Sequence, residues 1–178
     1  MLDAAVQGAS DSIFLVGNIA ASLVAFLAFI EFVNSVLGWL GGLLAFPSLS
    51  LELILSWLFY PLALIMGVPC GARDQQVEDE CRLVGTLVGL KTVVNEFVAY
   101  DRLVKLRPLL SARAVAISTY ALCGFSNPAA VGIQVTVLSH LAPSRRADIS
   151  HLAARAFITG SMGCFLTACV AGTLITEE

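Results

Sequence analysis

Apolar residues along this chain neither alternate nor keep to one helical stripe. They fill whole segments, separated by short polar breaks. The first segment spans 12–46, and within it Ile13 to Phe46 carries a single charge, Glu31. As one helix this stretch would be roughly 51 Å long at about 1.5 Å per residue, against roughly 30 Å for the hydrocarbon core of a bilayer. It is expected to tilt steeply or to emerge near Gly38-Trp39-Leu40-Gly41-Gly42, where an interfacial tryptophan precedes a glycine pair. The second segment, 50–71, opens with Ser50 as an N-cap candidate and Glu52 in the first turn. Pro61 should kink it and Pro69 should end it. Trp57 and Tyr60 suit either an interfacial anchor or core packing, and a position partly in the interface is the alternative to a full crossing. A polar loop, Arg73 to Arg82, follows.

The third segment, 81–106, is about as apolar as a membrane span but contains Gly85, Gly89, Lys91, Asn95 and Glu96. Neither the run from Arg82 to Lys91 nor that from Lys91 to Glu96 is long enough to cross a bilayer. Two short helices folded into a re-entrant hairpin fit this pattern, a geometry tolerated at membrane depth only against protein or a wet cavity. The fourth segment, 113–142, is free of charge from Ala114 onward, yet Gly124-Phe125-Ser126-Asn127-Pro128 interrupts it. The last segment, 145–175, follows Pro143-Ser144, with Ser144 a candidate N-cap. Its small residues Gly160, Gly163, Ala168 and Gly172 form a face for close helix packing. The predicted architecture is an all-α polytopic membrane protein with about four membrane-crossing helices and one re-entrant helical hairpin. No alternating runs or hairpin turns of β type occur.

Composition agrees with a lipid-facing surface. Of 178 residues, 58% are hydrophobic and 13% charged. Soluble domains are usually about half apolar and about a quarter charged. A net charge of −3 and the lack of a basic stripe speak against nucleic acid as a partner. Cys70, Cys81, Cys123, Cys164 and Cys169 match no metal or redox spacing and read as small buried hydrophobes. His140 and His151 form no metal pattern, and no hydrolase, metalloprotease or P-loop motif is present, so the chain reads as a non-enzyme without cofactor. Orientation signals conflict. Arg145 and Arg146 place the start of the last helix in the cytoplasm and its end outside, which leaves the basic run Arg102 to Arg113 outside too.

Two positions stand out chemically. An ionisable group inside an apolar segment is costly, so Glu96 should face a cavity or substrate, pair with Lys91, or sit at the water interface. Pro128 lacks an N–H, so the fourth helix should open near Gly124 to Asn127, freeing carbonyls and presenting the Asn127 amide. Broken helices of this kind hold substrates and ions in transporters, although a plain proline kink, with Asn127 bonded to a neighbouring helix, fits the residues alone slightly better. Glu31, Asn34, Asn18 and Gln134 suit interhelical hydrogen bonds, and Arg155 suits snorkelling.

The stretches Asn95-Glu96-Phe97-Val98-Ala99-Tyr100 and Ala121-Leu122-Cys123-Gly124-Phe125-Ser126-Asn127 closely resemble the C-terminal part of the concentrative nucleoside transporters. That family reads NEFVAY in its second re-entrant hairpin and ALCGFAN in the broken helix after it. VGNIAASLVAFLAFIEFVNSVLGWLG, YPLALIMGV, LAPSRRADI and LTACVAGTLI agree in order, so the resemblance covers nearly the whole chain. It implies the C-terminal half of an inverted-repeat transporter, moving nucleosides by alternating access with a sodium or proton gradient. By resemblance, Glu96 and Asn127 hold the ribose hydroxyls and Phe125 lies near the sugar. Where the family has a second ribose-contacting serine, this chain has Ala130. The nucleobase and sodium sites precede the matched region, so the chain is expected to supply the ribose half of the site and to be incomplete alone. Trimers are implied as well; the plasma membrane is the expected location, with the C-terminus outside on the Arg145 and Arg146 count. The alternative reading is a truncated, non-transporting subunit that associates with full-length transporters.

Overall fold

The computed structural model describes residues 2–46, 48–69 and 79–175. The polar stretch 70–78, which includes Cys70 and Arg73, and the tail 176–178 lie outside the described residues. The described residues form helices, turns and loops without a strand. They divide into two units, Met1–Leu51 and Glu52–Glu178.

The first unit is one helix, α1 (Leu2–Leu43), and a turn. The helix begins and ends earlier than the 12–46 span expected. Its end is set by Gly41, whose carbonyl accepts the N–H groups of Leu44 at 3.1 Å and Phe46 at 2.7 Å. Ala45 there takes the left-handed conformation, with φ 56°. A Cβ on Gly41 would collide with the Phe46 carbonyl and crowd Leu49, so only glycine permits this turn. Asn34 Oδ1 accepts the Leu51 N–H at 2.8 Å, tying the turn after the helix back to it. Glu31 is exposed, and the Asn18 side chain lies outside the described ones.

The second unit holds α2 (Leu51–Ile65, its first residue belonging to the other unit), α3 (Glu80–Val93), α4 (Glu96–Leu106), α5 (Ala112–Leu122), α6 (Pro128–Leu141) and α7 (Arg146–Leu174). α3 and α4 pack together as a helical hairpin turned at Val94 and Asn95; α5 packs on α7, α3 and α4, and α6 packs on α7. The core gathers Ala63, Met66, Val84, Val88, Ile117 and Ala168, with α5 and α3 at its centre. Among the described residues, two helical stretches are long and apolar enough to cross a membrane, Val24–Leu43 and Pro143–Leu174. At 15 residues, α2 rises only roughly 22 Å, too short for the crossing expected of segment 50–71.

Gly85 and Gly89, poor helix formers, are explained by packing. A Cβ on Gly85 would stand 3.0 Å from the Ser56 carbonyl oxygen, and one on Gly89 would stand 2.6 Å from Leu55 Cβ. The two glycines, one turn apart, let α3 lie directly on α2. Gly89→Ala should therefore destabilise the chain by about 1–3 kcal/mol through overpacking. The exposed α7 position Gly163, with nothing within 4 Å, should gain up to about 1 kcal/mol as alanine from helix propensity. Thermal melts of the two variants in detergent should shift in opposite directions; a Gly89→Ala melt at or above the parent would contradict this packing.

Several local expectations are corrected. Only the C-terminal part of the α7 small-residue face is used: Ala168 and Gly172 are buried, whereas Gly160 and Gly163 meet nothing. Ser144 caps no helix. It lies in a 3-10 turn, Pro143–Arg145, and Arg145 Nε instead bonds Asp148 Oδ2 at 3.0 Å. Cys123 is exposed rather than buried, because α5 stops at Leu122. Cys81 is buried but disulfide-bonded, not a plain hydrophobe.

Candidate functional site

The hairpin turn and the break between α5 and α6 meet, and both are built from helix caps. After α3 the chain extends at Asn95, whose Oδ1 accepts the Val98 N–H at 2.9 Å and starts α4. Glu96 is then the first residue of α4, with its carboxylate beside the positive end of the helix. Across from it, α5 ends at Leu122, and Gly124 takes φ 128°, a conformation open essentially to glycine alone. Asn127 caps α6, its Oδ1 accepting the Ala130 N–H at 2.8 Å. Pro128 does not kink a continuous helix. It occupies the first position of a new one, where its missing N–H costs nothing.

These caps bring the two singled-out residues together. Asn127 Nδ2 donates to Glu96 Oε2 at 2.7 Å, with Glu96 6% and Asn127 2% exposed. Two helix N-termini thus converge on one carboxylate. The bond leaves Glu96 Oε1 and one Asn127 N–H without partners among the described residues. What remains is an acceptor-rich edge with one donor, suited to hydroxyl groups. Phe97 and Phe125 flank it as an edge-to-face pair, centroids 6.3 Å apart and planes at 63°. Both rings stay substantially exposed, which is costly for phenylalanine unless something covers them. Ala130 is buried directly behind the Asn127 cap and offers only a methyl group.

The ion pair between Glu96 and Lys91 that the sequence allowed does not form. Lys91 is fully buried, and its Nζ donates to the Ala121 carbonyl at 3.1 Å. Tyr100 donates its hydroxyl to the Thr119 carbonyl at 2.8 Å, so both arms of the hairpin grip the end of α5. At the other end of the same elements, Glu80 accepts from Ser111 N at 3.2 Å and Ser111 Oγ at 2.7 Å. A cleft of about 400 Å³ runs from the break along α6 and α7, reached by Phe125, Ser126, Gln134 and Cys164. The residue reading passed over Phe97 and Ser126. Phe97 adjoins Glu96 in the quoted hairpin motif. Ser126, buried with its hydroxyl unbonded, stands where the chain departs from ALCGFAN. His151 is exposed, and among the described residues no group of histidine, cysteine and carboxylate side chains could hold a metal ion.

A helical hairpin facing an interrupted helix, with polar groups presented by the breaks, is the architecture of broken-helix membrane transporters. Residues 1–172 match the family described as Na+ dependent nucleoside transporter, C-terminus. Over 98% of its length the chain is 48% identical to solute carrier family 28 member 3 of Mus musculus and 44% identical to that of Homo sapiens. It is 42% identical to sodium/nucleoside cotransporter 1 of Rattus norvegicus, again over 98% of the chain. Among solved structures, CNTnw in an inward-facing substrate-bound state superposes with a TM-score of 0.90 at 38% identity, covering 99% of this chain and 43% of that one. The chain belongs to the sodium-dependent nucleoside transporter family, as its C-terminal region, and is not an enzyme. It spans 26–28% of the length of these curated relatives.

Proposed function

We propose that this chain forms the ribose-binding half of a sodium-coupled nucleoside transporter. The observation that carries the reading is the Glu96–Asn127 hydrogen bond, which joins the hairpin tip to the helix break and leaves carboxylate and amide valences free. Ribose 2′- and 3′-hydroxyls would donate to Glu96 Oε1, the spare Asn127 N–H would return a bond, and Phe125 and Phe97 would cover the apolar face of the sugar. The membrane arrangement we infer has three crossings: α1, the pair α5 and α6, and α7. The α3–α4 hairpin enters and leaves on one side, and α2 lies near the surface.

That side is assigned as extracellular. Disulfides persist in oxidising compartments, so the bonded Cys81 supports an outside position for the start of α3. The N-terminus of α5 is bonded to the same end through Glu80 and Ser111. The far end of α7 lies there as well, since a Cβ on Gly172 would meet Ile117 at 2.8 Å. Arg145 and Arg146 then fall in the cytoplasm, and the basic run near Arg113 is outside because the hairpin's ends are. A trimer in the plasma membrane, as the resemblance implies, belongs to the same proposal.

Ala130 gives a test by gain. Ala130→Ser would restore a hydroxyl beside Asn127, worth about 0.5–1.5 kcal/mol, so the KM for uridine should fall roughly 2- to 10-fold in a full-length transporter carrying this region. The reading itself is tested by sodium-dependent uptake of labelled uridine into vesicles. A full-length transporter carrying this region should transport and the 178-residue chain alone should not. Robust uptake by the chain alone, or none by the full-length protein, would contradict it.

A further inference from the structure

We propose that Lys91 is a tethered cation for the broken end of α5, holding with its ammonium the place that a free monovalent cation would otherwise take. α5 ends with Ala121 and Leu122 buried, and the carbonyls of its last turn carry the negative end of the helix dipole. Thr119 is served by the Tyr100 hydroxyl, Tyr120 by the Cys123 N–H at 3.3 Å, and Ala121 by Lys91 Nζ at 3.1 Å. Beyond that carbonyl the ammonium lies over the Phe165 ring, 5.3 Å from its centroid, and the side chain is 0% exposed. The titratable groups facing it are Cys164, Glu96 and Cys123, and it forms an ion pair with none of the described carboxylates.

A buried ammonium without a carboxylate persists only where dipoles replace its water. The α5 terminus supplies those dipoles. Unwound carbonyls and half-helix C-termini are the groups that coordinate coupling cations in broken-helix transporters. Here one of them is already occupied by a side chain that cannot leave. The α5 end therefore takes up no transported ion, and any coupling cation is held elsewhere. Lys91 acts as a positioning residue, keeping the hairpin arm α3 locked to α5 so that Glu96 stays opposite Asn127. The inference stands on α3–α5 packing and does not require the ribose reading, so its test reads stability rather than uptake.

The 178-residue chain would be melted in detergent in sodium, potassium and N-methylglucamine chloride at equal ionic strength. The parent should melt at one temperature in all three. Lys91→Ala should lose roughly 5 °C or more in N-methylglucamine, from the unpaired buried carbonyl, and regain part of it in sodium or potassium as a free cation enters the vacated place. Lys91→Met fills the space without charge, so its melting temperature should fall equally in all three salts. A Lys91→Met melt at the parent temperature would overturn the inference, as would a Lys91→Ala melt indifferent to the cation, or a parent stabilised specifically by sodium.

Discussion

Glu96→Gln should lower sodium-dependent uridine uptake at limiting substrate roughly 30- to 1,000-fold in a full-length transporter carrying this region, with surface expression unchanged. The carboxylate is the anionic group that the hairpin presents to the break, and its bond to Asn127 Nδ2 uses one of its acceptor sites. Glutamine keeps the shape and can still accept from Asn127. It then turns an N–H₂ group toward the ribose hydroxyls, where a donor meets donors. Losing charge-assisted hydrogen bonds of this kind costs about 1.5–3 kcal/mol each, and two imperfectly replaced bonds give about 2–4 kcal/mol, which is the stated range. Folding should be spared, because removing a buried charge also removes its desolvation penalty. Reduced surface expression of the variant would point instead to a structural role.

The second large effect is expected at Gly124. Its φ of 128° lies where side-chain-bearing residues carry a penalty of about 1–3 kcal/mol, and a Cβ there would stand 2.6 Å from Cys164 Sγ. Gly124→Ala should lower the melting temperature of the chain by about 10 °C and displace Phe125 and Asn127 from the site. The two causes are separable. Adding Cys164→Ala removes the sulfur and should recover part of the loss, leaving the backbone strain. A double variant no more stable than Gly124→Ala would show that the clash with Cys164 contributes nothing.

The site was partly legible in the residues. Glycine, asparagine and proline inside a charge-free segment marked the break, and a glutamate in an apolar stretch marked the hairpin. Proline chemistry located the interruption but did not distinguish a kink from a new helix; that depended on Asn127 folding back onto the Ala130 N–H. The partner of Lys91 was out of reach. Lys91 and Glu96 are close in sequence, but Asn95 is fully extended, with φ −168° and ψ 169°, so no helical face joins them. The carbonyl that takes Lys91 lies thirty residues further on and becomes available only because α5 ends there. Composition gave the apolar length of segment 50–71 but not its end at Ile65, so the residues left a crossing and a partly interfacial position both open. Gly85 and Gly89 looked like weaknesses of a helix until the backbone of α2 was placed against them.

The central claim is that Glu96 recognises the hydroxyls of the sugar. Its most direct measurement is a cycle between residue and ligand, comparing uptake efficiency for uridine and 2′,3′-dideoxyuridine by the parent and by Glu96→Gln. If Glu96 binds those hydroxyls, the parent should prefer uridine strongly and the variant should hardly discriminate, giving a coupling energy of about 2 kcal/mol or more. Equal preference for uridine in both proteins would contradict the account.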